Sequence, residues 1–167
     1  MTHINDSTIM ATSKDNHCIE EMSLSAQNVQ TYAGQCGESG SIYSGFRLLL
    51  RLTSPYGVTF DGTSTLYISL NSIRTLMLIN LNDGAGELVC QTSSKIRIIR
   101  FDVISGDVFA SYDDGFGQIS PSSKSEQMLF RGTSGIGSLE NTGLKYGGGL
   151  EQMQAGVRVV ADHQNNR

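Results

Sequence analysis

Apolar positions along the chain come in short runs that alternate with polar ones, broken every few residues by Gly, Asn, Asp, Ser or Thr. Period-two alternation bounded by such residues predicts short strands joined by turns. The stretch "GVTFDGTSTLYIS", Gly57 to Ser69, shows it best. Val58, Thr59 and Phe60 form a first strand. Asp61-Gly62 is a turn, with Gly free to take positive φ. Thr65, Leu66, Tyr67 and Ile68 follow as a second strand of β-branched, aliphatic and aromatic residues. No apolar run approaches the roughly 18 residues of a membrane-spanning helix, so membrane insertion is not expected.

The pattern returns elsewhere. "GLEQMQAGVRVVA" (Gly149 to Ala161) has the same length and the same opening glycine, and ends in a strand. "IRFD" followed by "VISGDVFAS", ending at Ser111, gives strand, turn and strand again. "MTHINDSTIMAT" does so at the start, with "NDST" as its turn. The closing residues Thr12, Ser69, Ser111 and Ala161 stand 57, 42 and 50 positions apart. A repeat near fifty residues with unequal loops indicates an array such as a propeller.

Third and fourth strands complete each unit. In the first they are "CIEEMSL" and "NVQTYAG"; in the second, "TLMLINL" and "ELVCQT"; in the third, "QIS" after a "YDDGFG" loop and "QMLFRG" after a long Ser-rich turn. The approximate units are 1–40, 41–94, 95–138 and 139–167. Four strands cannot bury both faces of a sheet alone, which is why blades must pack on one another.

The stretches "KDNHCI", "TYAGQCGESG", "RLTSPYGVTFD" and "VVADHQNNR" resemble NHL repeats. The second and third units depart from that pattern, with "SLNSIRTL" and "ASYDDGFGQIS". The resemblance implies an all-β fold, a partial β-propeller of four-stranded antiparallel blades, often six to a ring. Six blades need roughly 250–300 residues, so the sequence reads as a fragment of about three and a half blades. The resemblance also implies that the loops after second strands share one face.

Scaffold loops are where binding concentrates. On that face the candidate binding residues are Asn16, His17, Asn71, Arg74, Asp113, Asp114, His163 and Asn165. The leading expectation is a non-catalytic module for a protein or glycan partner. The alternative is a fragment of a propeller lyase or hydrolase, similar to amidating lyases, whose metal residues lie partly elsewhere. In the family pattern, however, the loop His is structural. No GxSxG, HExxH or assembled Ser/His/Asp set occurs, so no catalytic residue is assigned. No metal or cofactor is expected either. Asp113-Asp114-Gly115 lacks the ligand spacing of a Ca²⁺ loop, and Gly147-Gly148-Gly149 lacks the following Lys-Ser/Thr of a phosphate loop.

Composition narrows this further. The net charge is −4, with 12 Lys and Arg dispersed except in "KIRIIR". A nucleic-acid partner is therefore not expected. Of three cysteines, Cys18, Cys36 and Cys90, at most one pair can bond within the chain, and Cys18–Cys36 and Cys36–Cys90 are both open. Asn5-Asp6-Ser7 is a glycosylation triplet of a kind common by chance. The first residues lack the basic start and apolar run of a secretory signal. An extracellular parent and a cytoplasmic protein both fit.

Overall fold

The computed structural model describes residues 1–131, 147–152 and 158–162. Its strands form successive antiparallel meanders. The first sheet is β1 (Thr2–Asn5), β2 (Thr8–Ser13), β3 (Cys18–Ser23) and β4 (Asn28–Ala33), in that order. A connection then carries β5 (Gly45–Phe46), which adds to the outer edge of the second sheet. That sheet continues with β6 (Pro55–Phe60), β7 (Thr65–Leu70), β8 (Thr75–Asn80) and β9 (Ala85–Gln91). The third is β10 (Ile96–Asp102), β11 (Asp107–Tyr112), β12 (Gly115–Ser120) and β13 (Ser125–Arg131); β14 (Gly147–Gln152) and β15 (Arg158–Asp162) pair next. The first strands lie side by side, β1 by β6, β6 by β10 and β10 by β14. This is the arrangement of blades around an axis, and the chain is a partial β-propeller.

The core lies between blades. Leu66, Ile68 and Leu70 of β7 join Met10 and Ile19 of the first blade in one cluster. The alternate residue Tyr67 points the other way, into a second cluster with Ile99, Val108 and Ile119 of the third blade. A sheet covered on both faces explains why "LYISL" is almost continuously apolar. Leu66, Ile68 and Leu70 are fully buried, each contributing roughly 1.5–3 kcal/mol of transfer free energy. Tyr67 also stacks on Phe101 of the next blade, with ring centroids 5.5 Å apart.

Irregularities repeat as faithfully as strands. In each of the first three blades a bulge falls after the second residue of the third strand, at Ile19, Leu76 and Phe116. The turns into the fourth strand each contain a left-handed residue, at Gln27, Gly84 and Lys124. The residue before the third strand is left-handed in the first two blades, at His17 (φ 60°) and Arg74 (φ 54°).

The third blade corrects one expectation. "YDDGFG" is not a six-residue loop: β11 runs to Tyr112 and β12 begins at Gly115, leaving Asp113-Asp114 as the connection. The glycines belong to the strand for a packing reason. A Cβ on Gly117 would stand 2.8 Å from the Tyr112 ring and 2.9 Å from the Gln127 carbonyl oxygen. The Ser-rich turn after β12 is likewise shorter than the sequence suggests, four residues between Ser120 and Ser125.

Candidate loop-face site

The turns at the two ends of the strands differ in chemistry. Those after the first strand of the first three blades are closed by an acceptor side chain. Asn5 Oδ1 accepts the Ser7 N–H, and Asp102 Oδ1 accepts that of Ile104. Asp61 Oδ1 accepts the N–H groups of Thr63, Ser64 and Thr65 at 2.8–2.9 Å. Burial works to raise the Asp61 carboxyl, but these backbone donors, Thr65 first, outweigh it and hold it below the ordinary carboxylate value. Asp61-Gly62 is turn chemistry.

The opposite face carries the loops after second strands, and these are stitched to the connections between blades. The Asn16 carbonyl accepts the Gly37 N–H, and Asn16 Nδ2 donates to Ser13. His17 Nδ1 accepts the Ser54 N–H at 3.2 Å. Ser54 in turn accepts the Asn71 N–H, while Asn71 Nδ2 donates to the Ile96 carbonyl at 2.8 Å. The Arg74 carbonyl accepts both the N–H and the hydroxyl of Thr92. Asp113 takes the Arg97 guanidinium, and its N–H donates to Lys95. Asn16, His17, Asn71, Arg74 and Asp113 therefore all fix the loop face. Asp114 is half-buried in the two-residue loop beside them. His163 and Asn165 lie outside the described residues.

At the axial end of this face, Lys14, Tyr56 and Arg97, which are not among the candidate binding residues, gather with Asp113, which is. Bulges open β6 between Pro55 and Gly57 and β10 between Ile96 and Ile99. They release Tyr56 and Arg97 from regular pairing. Lys14 of the first blade places Nζ 5.6 Å from the Tyr56 ring centroid, and Arg97 of the third places Cζ 5.6 Å from it. Lys14 is exposed, and Tyr56, Arg97 and Asp113 are half-buried. Three blades thus supply one row: Lys14, Tyr56, Arg97, Asp113. Burial opposes the charged guanidinium of Arg97, but Asp113 and then Tyr56 prevail and raise its pKa. Beside the row, a cleft of about 400 Å³ runs between Tyr56–Val58 and Ile98–Arg100. The signals in the sequence were the aromatic residue in "SPYG", the basic group "KIRIIR" that holds Arg97, and Asp113.

Cysteine chemistry is settled within the described chain. Cys18 and Cys36 form a disulfide, with Cα atoms 5.1 Å apart, that ties the start of β3 to the connection leaving the first blade. Cys90 is free and buried, and burial followed by the nearby Glu126 charge pushes its thiol up to about 11. Among the described residues no group of three His, Cys, Asp or Glu side chains is placed to hold a metal ion. No helix among them is long and apolar enough to cross a membrane.

The fold has solved counterparts. A structure of the nidogen/laminin complex is similar over 87% of this chain and 48% of its own, at 14% identity and a TM-score of 0.62. Hydrazine synthase from Kuenenia stuttgartiensis aligns over 76% of this chain and 33% of its own, at 9% identity and 0.57. An auxiliary nutrient binding protein from Bacteroides thetaiotaomicron aligns over 75% and 35%, at 12% identity and 0.53. The chain thus spans half or less of each neighbour. At such identities the likeness concerns the fold, which an enzyme, a complex and a nutrient binding protein share. No family model matches the sequence, and no curated protein matches it.

Proposed function

We propose that this chain is a non-catalytic binding module of an NHL-like propeller that takes a protein partner on its loop face, around Tyr56. The row Lys14–Tyr56–Arg97–Asp113 carries the reading. A half-buried aromatic ring between two cations, with a carboxylate at one end, has the composition of a binding hot spot: Tyr and Arg at the centre, charge at the rim. The surrounding loops are held by backbone and side-chain hydrogen bonds, so little ordering entropy remains to be lost on association. The loop His that a lyase would present to metal is instead engaged, His17 Nδ1 receiving the Ser54 N–H. The carboxylate of the row, Asp113, is engaged by Arg97.

Photo-crosslinking tests the assignment. A photoreactive residue placed at Lys14, on the loop face, is compared with one at Ile104, in the exposed turn of the opposite face. Incubation with material from the source organism is expected to give one saturable protein adduct at position 14 and not at 104. Equal labelling at both positions, or adducts from 104 alone, contradicts the proposal.

A further inference from the structure

We propose that Asn5 is an N-glycosylation site, carrying an oligosaccharide on the face of the arc opposite the loop face. The triplet Asn5-Asp6-Ser7 has the acceptor pattern, and its geometry adds what the pattern lacks. All three residues are exposed, in the tight turn between β1 and β2. Asn5 Oδ1 accepts both the backbone N–H and the hydroxyl of Ser7, at 2.9 and 3.0 Å. The Asn amide and the Ser hydroxyl are thus already gathered at one point. Both bonds use Oδ1, and neither uses Nδ2, the atom that takes the sugar.

The other blades show what the turn itself requires. Asp61 and Asp102 occupy the corresponding turns and close them with carboxylate oxygens. An acceptor oxygen is therefore sufficient for the fold. The amide nitrogen of Asn5 is surplus to the turn, and it is the atom that the acceptor reaction uses.

The Cys18–Cys36 disulfide supplies an independent observation. Disulfides form and persist where the compartment is oxidising, as in the lumen of the secretory route, the same compartment in which Asn acceptors meet their sugar donor. The remaining thiol, Cys90, is buried and held in its protonated form, so it does not disturb that pairing.

The co-reactant is an oligosaccharide linked through a diphosphate to a lipid. Asn5 Nδ2 attacks the sugar C1. The C1–N bond forms as the C1–O bond to phosphate breaks, the lipid diphosphate leaves with the bonding pair, and Nδ2 gives one proton to a base of the transferring enzyme. Nothing is oxidised or reduced. β2 separates the glycan from Lys14 by six residues, about 20 Å at roughly 3.3 Å each. The sugar would leave the loop face clear.

The test expresses the full 167-residue chain behind a cleavable secretion signal in animal cells, with a C-terminal tag that carries its own acceptor triplet. Glycosylation of the tag reports lumenal delivery whether or not the chain folds. Intact mass and peptide mapping after amidase treatment are expected to show a glycan on the tag and on Asn5, the latter as Asp at position 5. Asn5→Asp, which keeps the acceptor oxygen, is expected to lose one glycan and retain the fold, and Ser7→Thr to retain both glycans. A chain glycosylated on the tag but bare at Asn5 overturns the proposal.

Discussion

Thr12 joins the first blade to the second by donating its hydroxyl to the Tyr56 carbonyl at 3.0 Å. Ser69, at the corresponding place in the second blade, reaches the Arg97 carbonyl of the third at 3.5 Å. Ser69 Oγ also accepts the Gly57 N–H at 2.8 Å, as Ser111 Oγ accepts that of Ile98 at 3.2 Å. In the first three blades a small hydroxyl residue thus stands near the end of the second strand: Ser69 and Ser111 serve their own first strands, and Thr12 and Ser69 reach the next blade.

Ser69→Ala leaves the buried Gly57 N–H without this acceptor and is expected to cost about 1–3 kcal/mol. Thr12→Val, at a half-buried position, is expected to cost roughly 1 kcal/mol, and Thr12→Ser less. Urea denaturation of the purified chain measures all three. Equal midpoints for Ser69→Ala and the parent would remove Ser69 from the blade seam.

The strand pattern and the four-stranded repeat were legible because the second strands of the second and third blades are buried on both faces, which forces apolar residues into β7 and β11. The turn role of Asp61-Gly62 was legible too, since only a few side chains close such turns. The short connection in the third blade was not: Gly115 and Gly117 carry the signature of a loop, and only the Tyr112 ring packed against Gly117 shows why a strand needs glycine there. Tyr56 and Arg97 were hidden for a similar reason. Bulges displace them from the ladder, and a bulge depends on pairing between strands, which linear spacing does not record. Lys14 lies in the NHL-like stretch "KDNHCI", but its nearness to Tyr56 spans 42 positions in the chain.

The disulfide closes a loop across 18 positions, a size that gives roughly 3 kcal/mol by loop-closure entropy. Reduction, or Cys36→Ser, is expected to lower stability by about that amount, read from thermal unfolding with and without reductant. In the native chain at pH 8, Cys90 is expected to resist alkylation and to react only after unfolding. Fast native labelling of Cys90 would contradict its burial.

Asp61 and Cys90 set opposite ends of the pH profile. The Asp61 carboxyl is lowered in the folded state, so its stabilisation is present above its unfolded value, near 3.9, and is lost as pH falls through the folded one. The Cys90 thiol is raised to about 11, so its contribution is whole below the unfolded value and declines as pH climbs towards 11. Asp61→Asn, which keeps one acceptor oxygen but not the charge, is expected to flatten the acid limb. Cys90→Ala is expected to flatten the alkaline limb. Stability measured from pH 2 to 11 reads both, and unchanged limbs would exclude these two groups as their source.

His17 combines a left-handed backbone with an acceptor nitrogen for Ser54. Asn tolerates that conformation and offers an oxygen, whereas Val does neither. His17→Asn is expected to be nearly neutral and His17→Val to cost about 2 kcal/mol or more. The reverse order, in chemical denaturation, would refute this role for His17.

The central claim is that the loop face binds through Tyr56, and the affinity of the crosslinked partner tests it most directly. Titration calorimetry of that partner against the parent chain, Tyr56→Ala and Ile104→Asp, each verified as folded, compares the two faces. The account predicts about tenfold or greater weakening for Tyr56→Ala and unchanged affinity for Ile104→Asp. Unchanged affinity for Tyr56→Ala, with weakening confined to Ile104→Asp, would contradict it.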